Sequence, residues 1–286
     1  MKIHHLNCGA MQPYGGALFD GSTRGLGPAN LTCHCLLLET SVGLVLVDTG
    51  TVSRNVADAA RRLSPFFRIT DRVRLIPAEA AFNQIQRLGH EPSEVKHVVM
   101  THLDFDHATG LVDFPGARVH LSAKEAAAAH NPATPKERAR YRPAQSANQS
   151  GWHLYETFPA EFFGLPATYL DGIPGMMLVS LPGHTKGHCG VATDLGRDGW
   201  LLHAGDAIFM QSELARPPFT PPAARLYQWF MQTSQRQRRH SLAELRRISR
   251  DEGDHVRIIC THDPDVLRRS RTETTEVVQR WPYSGG

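Results

Sequence analysis

The segment "VVMTHLDFDHATG", Val98–Gly110, places four side chains of metal-binding type within six positions. Its apolar start predicts a buried strand, and its polar remainder predicts a loop at the end of that strand. Imidazole suits zinc, iron and manganese, whereas carboxylate oxygens shift the preference toward harder ions. In a bent loop, His102 and Asp104 can face one point. Asp106 and His107 can then face a second point, so the segment predicts a metal site.

Four other apolar runs also lead to an ionisable residue. They are "LVLVD", "LVSLPGH", "WLLHAGD" and "RIICTH", which reach Asp48, His184, Asp206 and His262. One histidine after a strand is more often structural, but five strand ends of this kind indicate one rim where loops meet. Two ions about 3.5–4 Å apart can share a hydroxide that attacks at neutral pH. Asp206 is the natural carboxylate to lie between two such ions and offset their repulsion.

Taken in order, these segments resemble the signatures of the metallo-β-lactamase superfamily. The signatures are "DTG" at Asp48, "THLDFDH" at 101–107, "PGHTKGH" at 182–188, "GD" at Asp206 and "THD" at His262. The resemblance covers about residues 3–265 and is more specific for fold and metal site than for substrate. It implies an α/β fold, an αββα four-layer sandwich with two mixed β-sheets flanked by helices. The sequence leans toward the lactonase and esterase-like branch of this family.

The resemblance also implies two divalent metal ions, with zinc favoured and manganese or iron as alternatives. Carried over position by position, it implies seven ligands. The first metal takes His102, Asp104 and His184, the second takes Asp106, His107 and His262, and Asp206 bridges them.

Other residues of these segments are expected to support the ligands or the reaction. Asp106 or Asp206 would orient the nucleophile and later pass a proton to the leaving group. Asp48 would fix a ligand or loop by hydrogen bonds. His188 is expected to hold its own loop rather than to bind metal.

Two positions depart from the family pattern. The usual motif is HxHxDH, whereas this chain has HxDxDH with Asp104 in place of a histidine. The added anionic ligand predicts a less positive site and a slightly less acidic bridging water. The lactonase branch is expected to have a tyrosine where this chain has Phe209. Another tyrosine, for example Tyr14 or Tyr169, would have to reach the site from a loop.

The sequence therefore predicts a binuclear metal-dependent hydrolase. In it, a metal-bridging hydroxide attacks the carbonyl of an ester, thioester or lactone. A β-lactamase-like amide hydrolase and a phosphodiester or organophosphate hydrolase are the alternatives among enzymes. The alternative outside catalysis is a metal-retaining binding or sensor protein, which the complete ligand set disfavours.

The elements that must position these residues fit one metallo-β-lactamase-like domain over residues 1–286. Helices are predicted near Pro77–Leu88, at about 224–233 and at 240–250, between strands that end at the ionisable residues. Residues 131–175 contain several prolines and aromatic residues, and they are expected to form an irregular covering insertion.

Composition excludes several classes of protein. Hydrophobic residues form 41% and charged residues 21% of the 286 residues, and the formal net charge is +3. No apolar run approaches the roughly 20 residues of a membrane helix, and no signal peptide is evident, so a cytoplasmic location is expected. The expected partner is a small-molecule substrate, with no nucleic acid and no membrane, and a homo-oligomer is left open. The five cysteines are expected to be reduced, buried thiols.

Overall fold

Two six-stranded sheets form the centre of the protein in this computed structural model, which describes residues 1–21, 25–57, 60, 63–141 and 151–272. The first sheet contains β1 Lys2–Met11, β2 Leu31–Thr40, β3 Gly43–Val47, β4 Val95–Val99, β5 Arg118–Ser122 and β6 Trp152–Tyr155. The second contains β7 Ala160–Phe162, β8 Leu165–Tyr169, β9 Met176–Ser180, β10 Cys189–Asp194, β11 Trp200–His203 and β12 Val256–Ile259.

Helices flank the two sheets. In chain order they are α1 Ala17–Asp20, α2 Pro65–Thr70, α3 Ala81–Arg87, α4 Phe105–Ala108, α5 Ala123–His130, α6 Pro135–Arg140, α7 Pro222–Met231, α8 Gln235–Asp251 and α9 Pro264–Thr272. None of the helices in the described ranges combines the length and the apolar composition that a membrane span requires.

Both sheets are mixed. In the first, β1, β2 and β3 pair antiparallel, and β3 to β6 pair parallel. In the second, each strand from β7 to β11 pairs antiparallel with the next strand along the chain, and β12 lies parallel to β11. Mixed pairing with flanking helices confirms the predicted sandwich of two sheets.

Strand β2 shows why the sequence forms layers. Leu36 and Leu38 point toward the core between the sheets, where they join residues such as Leu178 and Leu202. Leu37 points the other way and joins the cluster under α3. Successive side chains of a strand face opposite sides, so a strand that is apolar at every position must be covered on both faces. The five cysteines are also buried and free, as predicted.

The described part of residues 131–175 is not irregular. It contains α6 and the short strands β6, β7 and β8, which complete the outer ends of the two sheets. These strands have three to five residues each, too few for the alternation of polar and apolar residues to be clear. Residues 142–150 of the predicted insertion lie outside the described residues.

Candidate metal centre

The predicted site residues come from both sheets and meet at one edge of the sandwich. β3 and β4 end just before Asp48 and the "THLDFDH" loop, which continues into α4. β9, β11 and β12 of the second sheet end shortly before His184, Asp206 and His262. Seven candidate ligands, all nearly or fully buried, therefore lie together at this edge: His102, Asp104, Asp106, His107, His184, Asp206 and His262.

Asp48 holds the loop that follows β4. Its Oδ1 accepts the Thr101 backbone N–H at 2.8 Å, and its Oδ2 accepts the Thr101 hydroxyl at 2.8 Å. The same Oδ2 lies 2.8 Å from Nδ1 of His107. Because a carboxylate accepts, His107 carries its proton on Nδ1 and presents Nε2 to the site.

Two further histidines are held in the same tautomer. Nδ1 of His102 lies 3.0 Å from the Thr101 hydroxyl, whose hydrogen is already donated to Asp48, so His102 is the donor. Nδ1 of His262 lies 2.9 Å from the carbonyl oxygen of Thr32 on β2 and donates to it. Both rings thus turn the lone pair of Nε2 toward the site, as a metal-ligating imidazole requires.

Both ring nitrogens of His188 face backbone groups of neighbouring loops. Its Nδ1 lies 3.0 Å from the carbonyl oxygen of Leu181, and its Nε2 accepts the backbone N–H of Asp206 at 2.9 Å. Neither nitrogen is left for a metal. Gly205 has a φ of +54°, and a Cβ there would lie 2.7 Å from Nε2 of His188. Glycine is therefore required where the chain turns Asp206 into the site.

The ligand atoms fall into two groups that share Asp206. One group is formed by His102, His184 and Asp206, and the other by Asp106, His107, Asp206 and His262, with ligand atoms within 4.8 Å of one another. Nε2 of His102, Nε2 of His107 and Oδ1 of Asp206 are buried without a hydrogen-bond partner among the described residues. Such groups are costly unless a ligand satisfies them, and imidazole with carboxylate suits zinc, so the residues fit two divalent cations.

The electrostatics of the second group favour a cation. Burial lowers the pKa of His107, but the carboxylates of Asp206 and Asp106 outweigh it and raise that pKa well above its usual range. Burial raises the pKa of Asp206, but His262 and His107 hold it well below its usual range. The carboxylate of Asp206 thus stays ionised, and a metal ion would take the place of the protons on the imidazoles.

Asp104 lies at the edge of the first group. Its Oδ2 is 2.9 Å from Nε2 of His184 and 3.5 Å from Nε2 of His102. Its Oδ1 is 3.1 Å from Nε of Arg140, a guanidinium that is 2% exposed. Burial raises the pKa of Asp104, but Arg140 and then His102 hold it well below its usual range. The sequence predicts that Asp104 makes the site less positive, but the adjacent guanidinium of Arg140 offsets the negative charge that Asp104 adds.

Glu125 of α5 joins three segments around the site. It is fully buried and accepts the backbone N–H of Leu103 at 3.1 Å and the Tyr141 hydroxyl at 3.0 Å through Oε1. Its Oε2 accepts the Thr185 hydroxyl at 2.6 Å and the Gly187 N–H at 3.1 Å. One carboxylate thus fixes both the loop of His102 and the loop of His184.

A narrow cavity leads to the ligands, and most of its walls are apolar. Its lining includes Met11, Pro13, Phe19, Leu31, Phe105, Phe209 and Met231 together with Asp71, Tyr227 and several ligands. Tyr14 and Tyr169, suggested as replacements for the missing tyrosine, are 70% and 62% exposed and do not line this cavity. Tyr227 of α7 does line it, and its ring lies 6.1 Å from that of Phe209.

The hydroxyl of Tyr227 lies 3.0 Å from Oδ2 of Asp71. Burial raises the pKa of Asp71 to about 7, and its hydrogen bond to Tyr227 only partly opposes this. Burial and the nearby Asp71 also raise the pKa of Tyr227 well above its usual range. The cavity therefore contains a neutral phenol beside a carboxyl group that is protonated in part near neutral pH.

Sequence reasoning missed Arg140, Glu125, Asp71 and Tyr227. Arg140 lies in "PKERAR" and Glu125 in "AKEAAAAH", where charged residues of short helices usually face solvent. Arg140 and Glu125 are buried because they contact loops that are distant in the chain. The local sequence contains no signal for such contacts.

Comparison with known proteins agrees with this geometry. Residues 29–262 match the sequence profile of the metallo-beta-lactamase superfamily. A probable metallo-hydrolase of Mycobacterium bovis is 38% identical over 278 residues, which are 95% of this chain and 83% of that protein. An N-acyl homoserine lactonase of a Bacillus species is 28% identical over 181 residues, which are 63% of this chain and 65% of that protein.

A solved structure shows the same fold. It is an N-acyl homoserine lactone hydrolase with the product N-hexanoyl-L-homoserine bound at the catalytic metal center. Its TM-score is 0.71 at 20% sequence identity, over 94% of this chain and 95% of that one. At 20% identity this likeness shows the fold alone. The family assignment rests on the profile match and on the mycobacterial relative. The chain therefore belongs to the metallo-beta-lactamase superfamily and is a metal-dependent hydrolase.

Proposed function

We propose that the chain is a binuclear hydrolase of an ester, thioester or lactone whose substrate carries an apolar group. The observation that carries this proposal is the pair of ligand groups that share Asp206 at the base of an apolar cavity. Two divalent cations, zinc in the first place, would there lower the pKa of water and polarise a carbonyl oxygen.

The described residues of the cavity suit a neutral acyl compound. Met11, Phe19 and Leu31 offer apolar surface to an alkyl or aromatic group, while the polar lining residues lie together at the candidate metal centre. None of the lining residues in the described part is lysine or arginine. A phosphodiester or organophosphate hydrolase, which a basic pocket would favour, is therefore the weaker alternative.

Tyr227 is proposed to contact the substrate oxygen in place of a residue at the Phe209 position. When Asp71 is protonated, its O–H can donate to the oxygen of Tyr227. The phenol hydrogen is then free to donate to a carbonyl oxygen or to the oxyanion that develops from it. Asp106 and Asp206 are proposed to orient the attacking water and to return a proton to the leaving group.

The names of related proteins support a lactone as one substrate class. One relative and the solved structure act on N-acyl homoserine lactones, which combine a small ring with an apolar acyl chain. An apolar cavity beside a metal centre suits that combination, although the lactonase covers only part of this chain.

The proposal is tested by metal content and turnover measured on one preparation. Elemental analysis is expected to find two divalent ions per chain. Acyl lactones, aryl esters and thioesters are expected to be hydrolysed, with activity lost on chelation and regained with zinc. His262→Ala should lose one ion and activity, whereas His130→Ala, at an exposed position of α5, should keep both. Hydrolysis of β-lactams or phosphotriesters alone, or two bound ions without any turnover, would refute it.

A further inference from the structure

Arg140 is a buried cation that lies directly behind the candidate metal centre. It is the last residue of α6 and is 2% exposed. One terminal nitrogen donates to the carbonyl oxygen of His184 at 2.9 Å, and the other donates to that of Met231 at 2.6 Å. Its Nε lies 3.1 Å from Oδ1 of Asp104. The two terminal nitrogens of the guanidinium therefore have hydrogen-bond acceptors, whereas Nε faces Asp104 as an ion pair without hydrogen-bond geometry.

The two oxygens of Asp104 face different groups. Oδ1 faces Arg140, whereas Oδ2 faces Nε2 of His184 and Nε2 of His102. An aspartate and an arginine together carry no net charge, which is also the charge of a neutral histidine. The HxDxDH motif with Arg140 is thus equivalent in charge to the HxHxDH motif of the family.

We propose that Arg140 and Asp104 act as one unit of the metal centre. Arg140 offsets the charge of the carboxylate and holds Oδ1, so that Asp104 offers the single oxygen Oδ2 to a cation bound by His102 and His184. Arg140 is a positioning residue that contacts neither cation nor substrate. This inference rests on the proposed function, because it requires a cation at the first group of ligands.

A purely structural role makes a different prediction. If Arg140 only connected α6 to the carbonyl groups of His184 and Met231, its loss would destabilise the metal-loaded and the metal-free protein equally. If it offsets Asp104, its loss leaves a buried, unpaired carboxylate, which is costly in the metal-free protein and relieved when a cation binds.

Arg140→Met separates these two roles. Thermal unfolding and zinc titration against a competing chelator are measured for the full chain. The melting temperature of the metal-free variant is expected to fall, and its rise on adding zinc is expected to exceed that of the wild type. The dissociation constant for zinc at the first group should fall by about tenfold, because the bound cation relieves the carboxylate that the variant leaves unpaired. Arg138→Met, at an exposed position of the same helix, is the control and should change neither quantity.

A paired substitution tests the charge equivalence. Asp104→His leaves Arg140 buried without its anion, so zinc content is expected to fall from two ions to one. Adding Arg140→Met to Asp104→His removes the unpaired cation and is expected to restore the second ion. If the double variant binds no more zinc than Asp104→His, or if Arg140→Met leaves the zinc-dependent rise unchanged, the inference is wrong. A wild-type chain that binds no divalent ion would overturn the proposed function and this inference together. A wild-type chain that binds two ions, with zinc binding unaffected by Arg140→Met, would overturn only this inference.

Discussion

Three histidines of the site are held in one tautomer by three different acceptors. His107 donates to Asp48, His102 to the Thr101 hydroxyl and His262 to the carbonyl oxygen of Thr32. The first two acceptors lie within or beside the family signatures, whereas the third lies 230 positions away in the chain. Residue types and spacing were therefore enough to propose the candidate ligands, but only the fold shows how their rings are oriented.

The phenol of Tyr227 gives a prediction at the same scale. Tyr227→Phe removes a donor to the developing oxyanion but leaves the ring that packs beside Phe209. We expect kcat to fall by about 100-fold, the typical effect of losing one such donor, with little change in KM or melting temperature. Steady-state kinetics on an acyl lactone or aryl ester would measure this. Tyr14→Phe, at a position that is 70% exposed, is the control and should be silent. A loss confined to KM would assign Tyr227 to binding alone.

Asp71 predicts a dependence of stability on pH. Its pKa is about 7 in the folded protein and near the ordinary 3.8 in the unfolded chain. Between these values the folded chain holds a proton that the unfolded chain has released, so this contribution to stability is complete below about pH 4 and is lost as the pH rises through 7. One pKa unit corresponds to about 1.4 kcal/mol, so the loss is on the order of a few kcal/mol.

Asp71→Asn should remove this dependence and still accept the Tyr227 hydrogen bond. The melting temperature of the variant minus that of the wild type should therefore be larger at pH 8 than at pH 5. Because the metal ligands are the same in both proteins, their own titration cancels in the difference. Asp198→Asn, at an exposed position, should follow the wild type at both pH values. Parallel curves for wild type and Asp71→Asn would show that Asp71 is already ionised at pH 5.

At the scale of elements, two loops depend on one helix. Glu125 of α5 accepts four hydrogen bonds, three of them from the segments that carry His102 and His184. Glu125→Gln would place N–H groups opposite some of these donors and leave them unsatisfied. Because a buried unsatisfied group costs about 1–3 kcal/mol, we expect a lower melting temperature.

The same substitution should also weaken metal binding at the first group, because both loops lose a common anchor. Zinc titration and thermal unfolding would report the two effects. Glu156→Gln repeats the chemical change at an exposed position and should be neutral. A destabilised Glu125→Gln protein with unchanged zinc affinity would show that the loops keep their positions without this anchor.

Elements with long apolar runs could be predicted from the sequence, whereas short elements were missed. β3 and β4 end shortly before the ionisable residues Asp48 and His102 in a clear apolar pattern, and the hairpin from β2 to β3 pairs Thr40 with Gly43 as the turn at Ser41 suggests. β6 to β8 were missed because three to five residues contain no readable period. Arg140 was missed for a different reason, since burial of a charge at a helix end depends on the loops that surround it.

At the scale of the molecule, the candidate ligands come from both sheets. The segment after β4 supplies His102, Asp106 and His107, while the second sheet supplies His184, Asp206 and His262. Removing metal should therefore leave like charges and unsatisfied atoms between the two halves. We expect chelation to lower the melting temperature by several degrees and zinc to restore it, because a ligand that binds only the folded state stabilises it.

Thermal unfolding before and after chelation would measure this shift. In the His262→Ala variant, which lacks one ligand of the second group, the effect of chelation should be smaller. An identical melting temperature with and without metal in the wild type would contradict the expected cross-link between the sheets.

The sharing of ligands between β4 and β12 has a consequence for biosynthesis. His262 follows the last strand of the second sheet, so a chain still being synthesised lacks part of the candidate centre until the segment after β12 has emerged. A centre that uses both sheets, as proposed, can therefore form only after the sheets have met. We expect the ion that fills it to be selected from those available to the folded sandwich rather than to the nascent chain.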